Sequence, residues 1–342
     1  MNRLRKLDDV LKGSRALLIL VHDYPDPDAL ASALLLSHLA RERYKLRTRI
    51  AYGGHINRAE NRAMVQQLRI TLTPADRIHW GRYKCVAMVD TQPAFGNHSL
   101  PGDVKPRVVI DHHPKVGSGN AEFEDIRTDY GACATMLVEY LQAAELEISV
   151  DLATAITYAI RSETQELGRD TSPLDIEAYL QFYPRANKRK LARIFTPKLP
   201  KTYFLLLGRA LKNAKVFRNI AHTHLQEVES PDFVAQIADL LLRHERITWV
   251  LVTGRFDSHL FVSMRCSHAN ANAGRMLKQI IGRSGSAGGH AMVAGGQIPI
   301  EPGRNNRWED VENKITGRFL EKLKHNKEGD WKPMLTIPSS SP

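Results

Sequence analysis

The fold is decided by a stretch that runs from residue 16 to residue 28 and reads ALLILVHDYPDPD. Its first six residues are apolar, and a largely apolar segment with helical spacing follows from Ala29 to Arg43. A buried strand that leads through a short polar loop into a helix is typical of parallel sheets in α/β proteins. Because ligands collect at the carboxyl ends of the strands in such sheets, the polar loop predicts a binding site.

The loop itself contains side chains that bind metal ions. His22, Asp26 and Asp28 follow the strand within seven residues, and Pro25 and Pro27 favour an extended backbone between them. Carboxylates two residues apart on an extended chain point to the same side. The alternative interpretation is a helix N-terminus without a metal, since acidic residues complement the helix dipole there.

Three further polar segments follow predicted strands or a helix later in the chain. Asp90 ends the strand predicted at 84–90, Asp111-His112-His113 ends the strand predicted at 107–111, and Glu163 follows the helix predicted at 152–160. Each segment alone is ordinary for a loop, and Asp-His-His alone is a weak motif. Their order predicts one cluster of carboxylates and imidazoles, a donor set that favours Mn²⁺, with Mg²⁺ or Fe²⁺ as alternatives. We therefore expect a two-metal phosphoesterase that uses two divalent ions.

The remaining pattern predicts two α/β domains. Alternating strands and helices over residues 1–183 indicate a parallel sheet with helices on both faces. A basic connector is expected at 184–215, and mixed strands and helices at 216–328 predict a second, smaller α/β domain. Residues 329–342, rich in proline and serine, are expected to be a disordered tail.

Composition agrees with a globular protein of two domains. The chain has 342 residues, more than one core usually serves, with 43% hydrophobic and 25% charged residues. Three widely spaced cysteines, Cys85, Cys133 and Cys266, make a disulfide partner or a zinc knuckle a poor expectation. The early apolar run is too short for a signal peptide or a membrane helix, so we expect a cytoplasmic protein without membrane association.

The chain carries a formal net charge of +11, which favours attraction to phosphates. Residues 184–201 contain seven basic residues and no acidic residue. Such a segment is suited to contact the backbone of a short single strand. A merely solubilising surface is the alternative interpretation of the charge.

At this point the motifs resemble a known family. His-x-x-Pro-Asp-x-Asp-Ala at 22–29, Asp90, Asp-His-His at 111–113 and Arg-Ser-Glu-Thr at 161–164 resemble motifs one to four of the DHH phosphoesterases. Ala-Gly-Gly-His at 287–290, preceded by Arg265, resembles the Gly-Gly-Gly-His signature of the companion DHHA1 domain. The resemblance extends over roughly residues 10–325. It is greatest to the stand-alone bacterial nano-RNase and pAp-phosphatase group.

The resemblance implies a role for each matching residue. His22 and Asp26 would hold one metal ion, Asp28, His112 and Glu163 the other, and Asp90 would bridge both. It also implies a substrate-binding set, of which the first two residues would be catalytic: His113, Arg265, Gly288, Gly289 and His290. The family usually carries Asp where this chain has Glu163, and Asp170 is an alternative ligand.

Three functions follow from these patterns. The first is an oligoribonuclease that degrades very short RNA, with pAp or linear dinucleotides as further substrates. The second is a small-molecule phosphatase or cyclic-dinucleotide phosphodiesterase. The third is a nucleotide-binding protein with a decayed, non-catalytic site. The expected partners are short RNA or nucleotide phosphates, and a homo-oligomer is left open.

Overall fold

The computed structural model describes residues 2–56, 58–118, 121–289, 291–300, 307–325 and 330–335. By its contacts the chain divides into two compact units, Met1–Lys198 and Leu199–Pro342. The predicted connector is helical: Lys188–Phe195 falls in the first unit and Lys201–Asn213 in the second. The division between the units falls between these two helices, within the segment 184–215 that was predicted as the connector.

The first unit is built on a parallel sheet of six strands. Its strands are β1 (Ala16–Leu20), β2 (Arg47–Tyr52), β3 (Leu72–Pro74), β4 (Val86–Val89), β5 (Val108–Asp111) and β6 (Phe123–Ile126). The strand order is β3-β2-β1-β4-β5-β6, and every neighbouring pair is parallel. Successive strands are added to one side of β1 up to β3 and to its other side from β4 onwards. The boundary between β1 and β4 is the topological switch point, and open α/β sheets bind ligands in the crevice there.

Within the described part of the first unit, seven α-helices pack on one face of this sheet. They are α1 (Asn2–Leu11), α2 (Pro27–Tyr44), α3 (Ala59–Leu68), α4 (Cys133–Ala143), α5 (Val150–Glu163), α6 (Pro173–Phe182) and α7 (Lys188–Phe195). All seven contribute buried residues to one core, together with Leu17 and Ile19 of β1. On the opposite face, Leu18 and Leu20 pack with Ile78, near the short 3-10 helix at Trp80–Arg82, and with loops. The class is the predicted α/β, and among the described residues the second face is covered by 3-10 helices and loops instead of the expected α-helices.

Helix α2 shows how the sequence positions the first polar loop. Asp26 is its N-cap residue, and its Oδ1 accepts a hydrogen bond from the Ala29 N–H at 3.0 Å. Pro27 occupies the first helical position, where its missing N–H costs nothing. Lys45 ends the helix in a left-handed conformation. Because α2 is buried along most of its length, its N-terminus is held firmly at the end of β1.

The second unit contains a mixed sheet of seven strands. They are β7 (Lys215–Phe217), β8 (Ile220–Glu227), β9 (Trp249–Phe256), β10 (His259–Cys266), β11 (Ser286–Gly289), β12 (Val293–Pro299) and β13 (Lys332–Pro333). The order is β11-β12-β10-β9-β8-β7-β13, with β8 and β9 parallel and the other pairs antiparallel. The described residues of this unit also form four α-helices: α8 (Lys201–Asn213), α9 (Asp232–Leu241), α10 (Ala273–Ile281) and α11 (Arg307–Lys322).

Part of the segment expected to be a disordered tail is structured. Lys332 and Pro333 pair with Val216 and Lys215, so β13 forms an edge of the second sheet. The physical reason is the unpaired edge of β7, which offers backbone hydrogen-bonding groups to a late segment of the chain. Residues 336–342 lie outside the described residues.

The described part of the chain can be compared with the predictions about membrane helices and cysteines. None of its helices combines the length and the apolar character needed to cross a bilayer. Cys85, Cys133 and Cys266 are all buried and carry free thiols.

Candidate metal centre

The loop after β1 brings His22 and Asp26 together. The imidazole Nε2 of His22 lies 3.6 Å from Asp26 Oδ2, while its Nδ1 lies 2.9 Å from the Asp23 carbonyl oxygen. An Nδ1–H that donates to that carbonyl leaves Nε2 with a lone pair that faces the carboxylate. A metal-binding histidine is usually oriented in this way.

Asp90 lies at the middle of the cluster. It follows β4 directly with φ +58°, a left-handed conformation that is uncommon outside glycine, and its side chain is only 3% exposed. Asp90 Oδ2 lies 3.8 Å from His22 Nε2, and Asp90 Oδ1 lies 3.5 Å from His112 Nε2. The two oxygens of one buried carboxylate therefore face histidines from two different motifs.

His112 and His113 reach the same carboxylate from the end of β5. The Nδ1 of His112 lies 3.1 Å from the Tyr130 carbonyl oxygen, which again directs Nε2 towards Asp90. His113 Nδ1 lies 2.9 Å from Asp111 Oδ1 and 3.8 Å from Asp90 Oδ1. The His113 side chain is 34% exposed, so it forms the accessible side of the cluster.

Two groups of three ligands result, and they share Asp90. The first group is His22, Asp26 and Asp90, and the second is Asp90, His112 and His113. Within each group, one potential ligand atom of each residue lies within 4.8 Å of those of the other two. Among the described residues, Asp90 Oδ1 and His112 Nε2 are buried without a hydrogen-bond partner. Buried polar atoms normally have a partner, so this arrangement fits a divalent ion that binds between them. Oxygen and imidazole donors suit Mn²⁺ or Mg²⁺.

Asp28 is completely buried next to this cluster. Its Oδ2 accepts a hydrogen bond from the Cys133 N–H at 2.6 Å and its Oδ1 accepts one from the Ala134 N–H at 2.8 Å, at the start of α4. Asp28 Oδ2 also lies 3.9 Å from His112 Nε2. Asp28 therefore connects the N-terminus of α4 to the cluster. If Asp28 binds a metal ion, as the family resemblance implies, it would do so through the carboxylate lone pairs that do not accept hydrogen bonds from these two amides.

Glu163 is the last residue of α5, and its side chain is 24% exposed. Its Oε1 lies 3.6 Å from Arg169 Nη2. Burial, together with the charges of Asp26 and Asp28, raises the pKa of Glu163 to about 7. By contrast, Asp170 is 89% exposed and lies 3.6 Å from Arg169 Nε. Of the two acids, Glu163 is the one whose electrostatic environment includes the cluster.

The electrostatics of the cluster are those of crowded carboxylates. Burial and the charges of Asp28 and Asp26 raise the pKa of Asp90 well above its ordinary value. Burial and Asp26 raise the pKa of Asp28 to about 7. Burial opposes protonation of His22, but its contact with Asp26 outweighs that effect and raises the His22 pKa to about 9. A divalent cation would replace these protons and relieve the repulsion.

Gln92 is a residue that the sequence analysis missed. Its buried amide Nε2 donates to Asp111 Oδ2 at 2.7 Å, and its Oε1 accepts from the Val116 N–H at 3.0 Å. Gln92 thus holds the carboxylate that orients His113. The sequence contains no signal for this, because a glutamine two residues after a strand is ordinary loop material.

Two more residues hold the first polar loop and were also missed. The buried Asn61 amide donates to the Pro25 carbonyl oxygen at 3.0 Å. At Gly53 a Cβ atom would lie 1.9 Å from Asp23 Oδ1, so a larger residue there would displace the Asp23 side chain. The Gly-Gly pair at 53–54 is the only sequence feature that indicates this close approach.

The second-unit residues predicted to bind substrate differ in burial and in the element that carries them. Arg265 is 5% exposed; its Nε donates to Asp239 and its Nη1 to Ser263 Oγ and the Ala294 carbonyl. Gly288 and Gly289 belong to β11, and Gly289 pairs with Ala294. His290 lies outside the described residues. Arg265 lies on β10, which β12 separates from the glycine strand β11, and its Nε and Nη1 are occupied by protein groups.

The basic side chains of the predicted connector are also partly occupied. Lys188 donates to the Pro184 and Ala186 carbonyl oxygens, at 2.8 and 2.9 Å, near the end of α6. Lys190 lies 2.6 Å from Asp151, and the Arg185 guanidinium donates to the Ile148 carbonyl oxygen. These contacts give three of the seven basic residues in 184–201 a structural role.

Comparisons with known proteins agree with this architecture. Residues 16–160 match the model of the DHH family, N-terminal domain, and residues 218–328 match the model of the DHHA1 domain. An uncharacterized protein from Methanocaldococcus jannaschii is 36% identical over 303 residues, which are 87% of this chain and 61% of that protein. The chain thus spans less than two thirds of the length of that relative.

A solved structure shows the same fold over both units. The exopolyphosphatase-related protein from Bacteroides fragilis superimposes with a TM-score of 0.73 at 14% identity, and the match covers 95% of this chain and 98% of that chain. The two family matches lie in the predicted order, and the first contains the Asp90 and Asp111-His112-His113 segments that meet in the cluster. The chain therefore contains a DHH-family N-terminal domain followed by a DHHA1 domain.

Proposed function

We propose that this protein is a metal-dependent phosphodiesterase or phosphatase that hydrolyses very short oligoribonucleotides, with pAp or linear dinucleotides as further substrates. One observation carries the proposal: two groups of side chains whose geometry could each hold a metal ion share the buried carboxylate of Asp90. A shared carboxylate is what two adjacent ions need, and two-ion sites of this kind catalyse in-line displacement at phosphorus.

In this proposal each side chain has a defined task. His22, Asp26 and Asp90 would hold one ion, and Asp28, Asp90, His112 and Glu163 the other. When bound, the ions supply a water of lowered pKa and neutralise charge on the phosphoryl oxygens. Mn²⁺ is favoured and Mg²⁺ is the alternative, because every one of these donors is an oxygen or an imidazole nitrogen.

His113 would act on the substrate rather than on an ion. Its Nδ1 contacts Asp111, which is itself held by Gln92, so its exposed edge carries Nε2. Burial opposes protonation, but the Asp111 contact outweighs it and raises the His113 pKa above its ordinary value. A protonated Nε2 can donate to a phosphoryl oxygen as charge develops there.

The preference for short substrates is supported by the distribution of charge. The net charge of +11 favours a phosphate-rich substrate. A long single strand would need a continuous track of available cations, but Lys188, Lys190 and Arg185 already bind groups of the first unit. The substrate we infer is therefore a nucleotide or an oligonucleotide of a few residues.

The test is a substrate panel with the full chain in Mn²⁺, Mg²⁺ and EDTA. The panel contains 5′-pApA, a five-residue RNA, a 24-residue RNA, pAp and a cyclic dinucleotide. We expect turnover of the dinucleotide and the five-residue RNA in Mn²⁺, little turnover of the 24-residue RNA, and none in EDTA.

Other outcomes would select other functions. Turnover of pAp or the cyclic dinucleotide alone would favour the small-molecule phosphatase or phosphodiesterase. Equal rates on the dinucleotide and the 24-residue RNA would contradict the length preference. Absence of any turnover, with nucleotide binding retained, would identify a non-catalytic binding protein.

A further inference from the structure

A cavity of about 470 Å³ lies in the first unit, away from the face that carries the α-helices. Its floor includes Val109 of β5 and Ile126 of β6, and its walls include Leu100 and Val104 of the loop between β4 and β5. This volume lies within the range of small-molecule sites in proteins. None of the metal-binding residues of the candidate centre lines the cavity.

The cavity nevertheless adjoins that centre through one side chain. Gln92 lines the cavity, and the same amide donates to Asp111 Oδ2 and, at 3.3 Å, to the His113 carbonyl oxygen. The neighbouring loop, which follows β5 and His113, forms another part of the lining through Lys115 and Val116. A ligand in the cavity would therefore lie one side chain away from the histidine proposed to contact phosphate.

The lining combines apolar surface with positive charge. Leu100, Val104, Val109 and Val116 provide apolar parts of the lining. Lys105 and Lys115 also contribute to the lining; Lys115 pairs with Glu124 at 2.7 Å, whereas Lys105 has no ion pair within the described ranges. Apolar walls with a few placed polar groups suit a flat heteroaromatic ring attached to an anion.

We propose that this cavity binds the nucleobase of a nucleotide that flanks the scissile phosphate. The proposal rests on the function proposed above and adds the part of the substrate that the first unit recognises. The ring would contact the apolar walls, and Lys105 would attract the adjacent phosphate. Base contacts of this kind are typically tolerant of sequence, because every base presents an apolar face.

The test compares 5′-pApA with two analogues in which one or the other nucleotide lacks its base. In the wild-type protein, removal of the base that enters the cavity should lower kcat/KM about tenfold, a loss typical of one base contact. In Val104→Trp, where the indole fills the cavity, removal of the same base should change kcat/KM by less than about twofold. Val150→Trp, which adds a tryptophan at an exposed position of α5, is the matched control and should respond like the wild type.

A second variant keeps the test decisive if Val104→Trp does not fold. Lys105→Ala should raise KM for 5′-pApA about threefold or more, and Lys84→Ala, an exposed lysine before β4, should not. A thermal melt of each variant confirms that the fold is retained.

The outcomes separate this proposal from the proposed function. Suppose that the wild type hydrolyses 5′-pApA, and that removal of either base changes kcat/KM equally in the wild type and in Val104→Trp. The cavity then does not bind a base, and the proposed phosphoesterase function is unaffected. If Lys105→Ala and Lys84→Ala behave alike in addition, the predicted role of Lys105 is also wrong. If no Mn²⁺-dependent hydrolysis of any substrate occurs, the proposed function itself fails.

Discussion

The Gln92 amide Nε2 donates to Asp111 Oδ2 at 2.7 Å, while the other oxygen of Asp111 lies 2.9 Å from His113 Nδ1. The carboxylate is completely buried, so these two contacts decide which way it points. Gln92 thus orients His113 through Asp111, and these two contacts connect the loop after β4 to the loop after β5. Mutation of a residue that makes such supporting contacts commonly lowers activity, even though the residue does not contact the substrate.

Gln92→Leu should therefore lower kcat about 10- to 100-fold, with a smaller change in KM, because His113 loses its fixed orientation. Gln92→Glu should be at least as severe, since it places a second carboxylate against Asp111. Steady-state kinetics on 5′-pApA measures both effects. Gln181→Leu is a suitable control, because Gln181 makes a comparable amide contact on the surface. A Gln92→Leu enzyme with the kcat of the wild type would show that Asp111 needs no such support.

Asp90→Asn should remove most of the activity and lower the number of bound Mn²⁺ ions, since one neutral amide cannot replace a carboxylate shared by two groups. The expected loss in kcat is about 100- to 1000-fold, which is typical when a central electrostatic group of an active site is removed. Inductively coupled plasma analysis gives the metal content and a melt checks the fold. Asp125→Asn, another buried acid in the same unit, controls for loss of a buried charge. Retention of two ions per chain in Asp90→Asn would contradict the shared-ligand assignment.

Glu163→Gln should weaken Mn²⁺ binding and lower the rate, whereas Asp170→Asn should do little. The reason is that the environment of Glu163 includes Asp26 and Asp28, while Asp170 is exposed beside Arg169. Isothermal titration with Mn²⁺ of the metal-free protein measures the affinity directly. If the two variants exchange these behaviours, Asp170 is the ligand. If neither variant differs from the wild type, neither acid binds the second ion.

The metal-free protein should lose stability as the pH rises from about 5 to about 9. Asp28 and Glu163 have pKa values near 7 in the folded state, above their ordinary values, so their contribution is present at low pH and is lost as the pH passes 7. His22, with its pKa raised to about 9, extends this loss upwards. Asp26 and Asp111, whose pKa values are lowered, act only at more acidic pH.

Melting temperatures in EDTA between pH 5 and pH 9 test this expectation, with Mn²⁺ added in parallel. Mn²⁺ should stabilise the protein most at high pH, because there it replaces protons that the folded site has lost. Glu163→Gln should show a shallower pH dependence without metal, since its amide does not titrate. A metal-free melting temperature that rises steadily from pH 5 to pH 9 would contradict the assignment of protons to this cluster.

Local patterns determined much of the fold and of the site. The apolar run at 16–21 and the following helix pattern predicted β1 and α2. His22, Asp26, Asp90, His112 and His113 were predicted as neighbours, and the structure places them in two groups around Asp90. These predictions were possible because strand and helix periodicity is local and parallel strands end at one edge of a sheet.

The tertiary structure alone decided the contacts that support the site. Gln92, Asn61 and Gly53 act on residues that are distant in the chain or belong to another loop, and ordinary loop composition does not record such partners. It also placed Arg265 in a buried network, engaged three of the basic residues in 184–201 and paired β13 with β7. The physical reason is that hydrogen bonds and burial depend on which groups meet in space, whereas the sequence pattern reports only which side of its own element each residue occupies.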